Sequence, residues 1–384
     1  MILIITGLFI ILFLLSLDLF LKIKPRSKLK IIPIKYNLIS NKKNNQIECF
    51  FEIKNFSRSK ETMVSNLEID VDLFDKDNLI DFNYKKIIII KNGSYEKVIN
   101  KYWPTLIIKS RDSLELKVLI TFDENILDSD KSLWLKFQWE NYGHFGIKER
   151  KNCFLISNHE KLINEKKLFN IAIDDTIQAI AIKTNLLGAF DDPVETISSY
   201  CEEIINDKDI LIIGETPLAI MQGRYLSPQE LEYSLFAKIL CYFFHPTSSL
   251  ATACGMQLLI NKVGLTRVTF SLLVGFIFKL IMIKGIFYRL AGKQASLIDD
   301  ISGTTAPYDK TIVLGPINSH KICKLLSERL KVDVAIADVN DLGKVKILAS
   351  SNRKIDHLLF SALKNNPAGN DDQKTPILIL RQKT

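Results

Sequence analysis

The sequence predicts an α/β (α+β) domain preceded by a β-sandwich and by one N-terminal transmembrane helix. Three observations lead to this architecture: an apolar run at the N-terminus, short alternating runs over residues 31–155, and mixed strand-like and helix-like runs over residues 165–384. With 384 residues, 47% of them hydrophobic, the chain is long enough for two or three domains with cores of their own.

The N-terminal run, residues 1–21, contains a single charged residue, Asp18. Its length matches a hydrocarbon core of ~30 Å, which predicts a transmembrane helix. A cleaved signal peptide would carry positive charge before its apolar run, whereas here the basic residues follow it, in a juxtamembrane segment over residues 22–30. By the positive-inside rule we expect a single-pass membrane protein with the bulk of the chain on the cytoplasmic side.

Charge and cysteine usage exclude other classes of protein. The six cysteines are widely spaced, with no CxxC pair, so neither a disulfide framework nor a structural zinc site is expected. The formal net charge is +8, but the lysines are spread along the chain and form no basic stripe with interleaved aromatic residues. We therefore expect no nucleic-acid partner.

Within residues 31–155 the pattern predicts an immunoglobulin-like β-sandwich. Short runs, several of them alternating between apolar and polar residues, are separated by clusters of Asn, Asp, Gly and Ser at the spacing of sandwich strands. Trp134 and Trp139 are interpreted as one core and one rim aromatic, with a binding face as the alternative. The predicted strands cover residues 46–57, 66–74, 85–94, 114–122 and 132–143.

A second pattern begins near residue 165, where predicted strands and helices are mixed, as in an α/β domain. Residues 192–205 form an amphipathic helix with Asp and Pro at its start, and residues 208–226 form a buried strand that runs into a Gly-bearing turn. The apolar run over residues 268–292 is interrupted by two lysines, so we expect a buried helix or a helix at a dimer interface. A monotopic membrane contact and a second membrane span are the alternatives.

Two aspartates stand in Gly- and Thr-rich turns beside strand-like runs, Asp309 in GTTAPYDKT and Asp338 in DVNDLG. Hard cations such as Mg²⁺ take carboxylate oxygens held on rigid backbone while other positions stay open for phosphate, so the two turns are candidates for a shared metal site. The alternative is structural, because Asp, Asn and Gly also occupy turns for local hydrogen-bonding reasons.

Three segments resemble motifs of the coenzyme F-420 gamma-glutamyl ligase family, whose members attach glutamate to a deazaflavin precursor. The family's S-K-x-E-G-R turn is similar to the end of DILIIGETPLAIMQGRY, with Gln222, Gly223 and Arg224. Its A-N-A-G-V-D-R-S-N segment resembles TTAPYDKTIVLGP, matching at Asp309, and its S-D-T-x-G-R turn resembles VAIADVNDLG, matching at Asp338. The resemblance covers about residues 170–380 and predicts a gamma-glutamyl-ligase-like domain over residues 165–384.

This resemblance implies a homodimeric amide ligase in which GTP or ATP phosphorylates an acceptor carboxylate and the amine of glutamate attacks the acyl phosphate. It implies Mg²⁺ or Mn²⁺ bound by Asp309 and Asp338, because phosphoryl transfer needs charge neutralisation. Arg224 and Gln222 would be the catalytic residues, with Arg224 as a fork for phosphate or carboxylate. The implied nucleotide and cofactor contacts are Gly223, Thr304, Thr305, Lys310 and Asn340.

The chain departs from the family motifs at several positions. A neutral residue replaces the motif lysine, Gln222 replaces the motif glutamate, and the arginine of the third turn is Lys344 or absent. Three functions therefore stay open: a membrane-tethered ligase acting on a carboxylate substrate, a catalytically inactive nucleotide- or metal-binding regulatory module, and a structural membrane adaptor.

Overall fold

The structure is a computed structural model that describes most of the chain after residue 27. The described residues are 28–40, 45–75, 78–92, 95–99, 105–122, 131–143, 146–165, 167–246, 248–283, 285–298, 306–339, 344–369 and 373–383, with short pieces between residues 6 and 17. Those short pieces are helical, and Phe9, Leu12 and Phe13 in them are exposed. Most of the predicted transmembrane helix and of the juxtamembrane segment lies outside the described residues.

The first domain is a sandwich of two antiparallel sheets, one with the strand order β1-β2-β8-β5-β6 and the other with the order β10-β9-β3-β4, in which β7 also pairs with β3. Every predicted strand is found, so the predicted β-sandwich is confirmed. The strands are β1 Leu29–Ser40, β2 Asn45–Asn55, β3 Thr62–Asp75, β4 Asn78–Ile80, β5 Tyr84–Asn92, β6 Tyr95–Ile99, β7 Leu106–Ile108, β8 Ser113–Phe122, β9 Lys131–Gly143 and β10 Gly146–Ser157.

Alternating side chains build the sandwich core, because successive residues of a strand point to opposite faces of its sheet. In β2, for example, Ile47, Cys49, Phe51 and Ile53 are buried between the sheets. All six cysteines lie among the described residues, and none of them forms a disulfide.

The two tryptophans of β9 differ from the predicted core-and-rim pair, since both are buried. They lie on opposite faces of the strand. Trp139 belongs to the sandwich core, where its Nε1 donates to Asn141 Oδ1 at 2.9 Å. Trp134 lies on the outer face, and the second domain covers it through Tyr225 and Tyr308. Trp139 also lines the basin between the two domains that is described below.

The second domain has a six-stranded mixed sheet of order β11-β12-β18-β13-β16-β17 and a separate β14-β15 pair. Only β13 and β16 in it are parallel to each other; the other neighbours are antiparallel. The predicted α/β domain is confirmed in this mixed form. Its strands are β11 Leu168–Ala172, β12 Ile177–Ile182, β13 Ile210–Gly214, β14 Tyr225–Leu226, β15 Ile312–Val313, β16 Asp333–Val339, β17 Val345–Ser350 and β18 Ile377–Gln382.

Helices cover both faces of this sheet: α2 and α8 pack on one face and α9 on the other. The predicted helix start at Asp192 is confirmed, because its carboxylate accepts from the amides of Val194 and Glu195. Helices α4 to α7 form a cluster of their own beside β15. The helices are α1 Glu160–Glu165, α2 Pro193–Cys201, α3 Glu215–Met221, α4 Leu235–Leu240, α5 Ala253–Val263, α6 Leu265–Leu280, α7 Ile286–Ala291, α8 Ser319–Leu330 and α9 Asp356–Ala362.

The apolar run over residues 268–292 forms most of α6 and all of α7. It is not a helix buried within this chain, and the other expectation, a helix at a dimer interface, stays a prediction. Of α6 only Val268 and Ser271 are fully buried, whereas many of its large apolar side chains are exposed. Among the described residues no single helix is long and apolar enough to cross a membrane. Helices α5 and α6 together have the required length and composition, but they are bent by 113° at their junction.

Candidate functional site

The first candidate site lies at the centre of the α/β sheet, where β13 and β16 run parallel and pair Gly214 with Ala337 near their carboxyl ends. These ends open into a cavity of about 220 Å³. Open α/β sheets bind ligands at the carboxyl edge of their parallel strands, which makes this cavity a candidate active site. The polar side chains that line it include Asn185, Glu215, Tyr308, Asp338, Asn366 and Lys374.

Glu215 is the first residue of α3, directly after β13, and its side chain is only 7% exposed. The carboxylate lies against Gly315, where an added Cβ would be 3.1 Å from Glu215 Oε1 and 2.5 Å from the Cβ of Leu297. A side chain at position 315 would therefore displace both neighbours, so the position requires glycine. Sequence reasoning missed Glu215. The available signal was an acidic residue at the carboxyl end of an apolar strand.

Asp338 is the last residue but one of β16 and lies opposite Lys346 of β17. The sequence placed Asp338 in a turn, whereas the structure places it within the strand, at the cavity. Burial raises the pKa of Asp338, and the positive charges of Lys346 and Lys344 oppose that increase. A cation close to the carboxylate would compensate for its lost hydration.

Asp309 lies in the 3-10 turn Tyr308–Lys310, just before β15. The residue of this turn that lines the cavity is Tyr308, which is buried and donates from its hydroxyl to Leu187 O at 2.9 Å. Asp309 is half-buried and is not a lining residue, and Lys310 is exposed. Three other candidate contacts, Thr304, Thr305 and Asn340, lie outside the described residues.

The predicted QGR segment lines a different cavity, a basin of about 730 Å³ between the sandwich and the α/β domain. Gln222 follows the last residue of α3 and is held by Ile317, whose carbonyl accepts from Gln222 Nε2 and whose amide donates to Oε1, both at 2.8 Å. Gly223 has φ +62°, a conformation that suits glycine at the end of a helix. The short helix α3 thus carries this segment away from the first cavity.

Arg224 is half-buried in the basin and donates from Nε to Gly315 O at 2.6 Å and from Nη2 to Gln294 Oε1 at 3.2 Å. Burial lowers the pKa of Arg224. It also lowers the pKa of Lys262, which the charges of Arg224 and Lys30 lower further. The charged lining of the basin consists of six cations, Lys28, Lys30, Lys148, Arg150, Arg224 and Lys262, and two acids, Glu230 and Glu232.

This excess of positive charge makes the basin suitable for phosphate or carboxylate groups, since an entering anion relieves repulsion among the cations. Gly315 lies between Glu215, which lines the first cavity, and Arg224, which lines the basin. Its carbonyl accepts from Arg224 on the basin side, and Glu215 contacts it on the other side. The structure therefore brings Asp338 together with Glu215 and Tyr308 at the first cavity, and it places Arg224, Gln222 and Gly223 in the basin.

The first cavity offers oxygen donors for a divalent metal, but only a few of them. Among the described residues no group of three or more His, Cys, Asp or Glu side chains is placed to hold a metal ion. The cavity has the carboxylates of Glu215 and Asp338 and the amide oxygens of Asn185 and Asn366. Mg²⁺ is commonly held by one or two carboxylates together with substrate phosphates. The residues therefore fit a cation that binds with phosphate, rather than a closed metal site.

Comparison with known proteins places the first domain. Residues 30–160 match the family described as F420-0:gamma-glutamyl ligase, N-terminal Ig-like domain. Residues 30–160 are thus similar to the Ig-like domain of that ligase family. The predicted resemblance to the family is thereby confirmed, for a divergent member. The match lies on the sandwich, which the motif resemblance left outside, and it does not extend into residues 165–384.

No curated protein matches the chain. Among solved structures, the GAE domain of GGA2p from Saccharomyces cerevisiae is 15% identical, with 35% of this chain and 94% of that chain covered, at a TM-score of 0.20. The collagen binding subdomain ACE19 of the Enterococcus faecalis surface protein ACE is 12% identical, with 35% and 99% covered, at a TM-score of 0.19. Scores this low support no argument about function.

Proposed function

We propose that this chain is a membrane-tethered amide ligase that uses GTP or ATP and a divalent metal, and that it joins an amine such as that of glutamate to a small-molecule carboxylate substrate. One observation carries the proposal: Glu215 of a cavity with two carboxylates and Arg224 of a cation-rich basin both lie against Gly315, in a chain whose first domain matches the Ig-like domain of a ligase family. Phosphoryl transfer needs this combination, because it depends on positioning and charge neutralisation.

In the proposed reaction an oxygen of the acceptor carboxylate attacks the γ-phosphorus, and the nucleoside diphosphate leaves. The amine then attacks the carbonyl carbon of the acyl phosphate, loses a proton and expels inorganic phosphate, which leaves an amide. Mg²⁺ or Mn²⁺, when bound, neutralises the phosphates. Asp338 would hold the metal, together with Glu215 from the cavity or with Asp309, which the resemblance implies.

Arg224 would orient a phosphate or carboxylate group from the basin, with Gln222 holding the loop at Ile317 in place. The remaining nucleotide contacts implied by the resemblance, Gly223, Thr304, Thr305, Lys310 and Asn340, are part of the same proposal.

Phosphate release tests the proposed reaction in the full chain in nanodiscs, with Mg²⁺, GTP or ATP, glutamate and a deazaflavin carboxylate acceptor. We expect phosphate release that requires both glutamate and acceptor. Arg224→Ala should lower the rate about 10²-fold or more, since it removes a preorganised charge partner. Arg58→Ala, at an exposed position of the sandwich, is the matched control and should retain the rate.

Two other functions remain candidates and give different results in the same assay. A regulatory module would bind nucleotide or metal without releasing phosphate, and the replacement of the motif glutamate by Gln222, which is engaged by Ile317, favours this candidate. A structural membrane adaptor would neither bind nor hydrolyse nucleotide.

The proposed location is a membrane, with a single N-terminal span and the bulk of the chain on the cytoplasmic side, because basic residues follow the apolar run. Protease treatment of sealed vesicles that keep the cytoplasmic side inside should leave a C-terminal tag protected. Digestion of the tag would show that the chain has the opposite orientation in the membrane. The homodimer implied by the ligase family remains part of the proposal.

A further inference from the structure

A large apolar surface is exposed on the helical cluster of the second domain. Phe276 is 57% exposed, Met282 82% and Tyr242 87%. A surface of this kind on a soluble protein commonly marks a contact with another protein or with a membrane. The apolar face is defined here by Leu273, Phe276, Leu280 and Met282 of α6 and the turn after it. Tyr242 and Phe243, in the 3-10 turn after α4, are exposed on the same helical cluster.

Helix packing explains why this face is bare. One side of α6 is packed, with Val268 and Ser271 fully buried and Gly275 in close contact with Phe287 of α7. A Cβ at position 275 would be 3.1 Å from the Cβ of Phe287. Leu273, Phe276 and Leu280 follow one another at three- and four-residue spacing and therefore share the other side of the helix.

The charged residues in the segment that contains the apolar face are all basic. Between Glu232 and Asp299 there is no acidic residue, whereas seven lysines and arginines occur there: Lys238, Lys262, Arg267, Lys279, Lys284, Arg289 and Lys293. Apolar side chains in a segment whose charged residues are all basic suit the interface of an anionic lipid leaflet. A second copy of the chain docked through the same face would place cations opposite cations, which is unfavourable.

The chain enters the fold near the start of α6. Lys28 and Lys30 line the basin together with Asn261 and Lys262, which lie at the end of α5, just before α6 begins. Six residues separate the predicted transmembrane helix, which ends at residue 21, from Lys28, and the seven Cα–Cα steps span about 25 Å at most. Helix α6 is about 24 Å long. A bilayer that holds residues 1–21 is thus within reach of the apolar face.

We propose that the apolar face inserts into the interfacial region of the anionic leaflet that holds the N-terminal segment, and that it fixes the basin and the cavity against the membrane surface. The contact is monotopic, with α6 lying along the interface rather than crossing the bilayer. The proposal is independent of the ligase reaction and holds equally for a binding module.

Proteolytic release tests this contact on the full chain. A specific protease sequence is inserted within residues 22–26, the protein is reconstituted on vesicles of phosphatidylglycerol and phosphatidylcholine with its second domain outside, and the anchor is then cut. We expect the released part to stay with the vesicles. The double change Phe276→Glu and Leu280→Glu should lower the retained fraction roughly tenfold, because it places charge on the membrane-facing side.

Val98→Glu is the matched control, since Val98 is 54% exposed on β6 and far from the apolar face in sequence, and it should not change retention. Retention on pure phosphatidylcholine vesicles should be weaker and should fall with salt. Release of the parent protein from anionic vesicles would overturn the proposal. Release as a dimer that the double change dissociates would show that a second copy covers this face instead.

Discussion

Trp134→Ala is expected to lower the free energy of unfolding by about 3–5 kcal/mol, the usual cost of truncating a large buried aromatic residue. Trp134 is 5% exposed and lies on the outer face of β9. Its ring centroid is 5.1 Å from that of Tyr308 and 6.3 Å from that of Tyr225. The change therefore removes the aromatic contact between the Ig-like domain and the wall of the cavity. Urea unfolding of the full chain in detergent measures the loss.

Trp139→Ala is the matched control, because Trp139 is equally buried but lies inside the Ig-like domain. Both variants should lose stability. Only Trp134→Ala should make residues 158–167, between the two domains, easier to cleave by limited proteolysis. A loss below about 1 kcal/mol for Trp134→Ala would contradict the described contact, since that is the size of an ordinary substitution.

A clearly alternating strand such as β8 could be predicted from the sequence, whereas β1 and β10 were missed. β8 alternates between buried and half-exposed residues along most of its length, and the predicted boundaries agree with the structure within a residue. β10 is exposed or half-buried in its first eight residues and buried in its last four, so it has no period of two. β1 contains Pro33 at a register shift and lies at the edge of its sheet, where proline is tolerated.

The candidate site was predicted only in part, because the order of residues in the sequence does not show which of two neighbouring cavities a side chain lines. Asp338 could be predicted, since it stands at the end of an apolar run. Glu215 and Arg224 are separated by one short helix, α3, yet they line different cavities on either side of Gly315. The exposure of α6 was also not predictable, because the sequence pattern of an apolar helix is the same whether protein, lipid or another copy of the chain covers it.

Asp338→Asn is expected to abolish the rise in melting temperature that Mg²⁺ or Mn²⁺ causes in the parent protein. If the metal binds the folded state alone, its stabilisation grows with concentration and reaches about 2.7 kcal/mol at a hundred times the Kd. Asparagine keeps the shape of the side chain but removes the charge that attracts the cation. Thermal unfolding of the full chain in detergent over a series of metal concentrations measures the response.

Without metal, the same change should not destabilise the protein at neutral pH. Burial raises the pKa of Asp338, so the folded protein holds this proton at pH values where the unfolded chain has lost it. The stabilisation from the protonated carboxyl is therefore present at low pH and lost as the pH rises through the raised pKa. Asparagine stays neutral throughout, so the metal-free variant should be at least as stable as the parent, and its stability should depend less on pH.

Glu215→Gln and Asp309→Asn then separate the two possible partners of Asp338 in metal binding. Loss of the metal response in Glu215→Gln alone supports the cavity carboxylates. Loss in Asp309→Asn alone supports the set implied by the ligase resemblance. If Asp338→Asn leaves the metal-induced rise in melting temperature unchanged, the cation does not bind at β16, and both proposed ligand sets are contradicted.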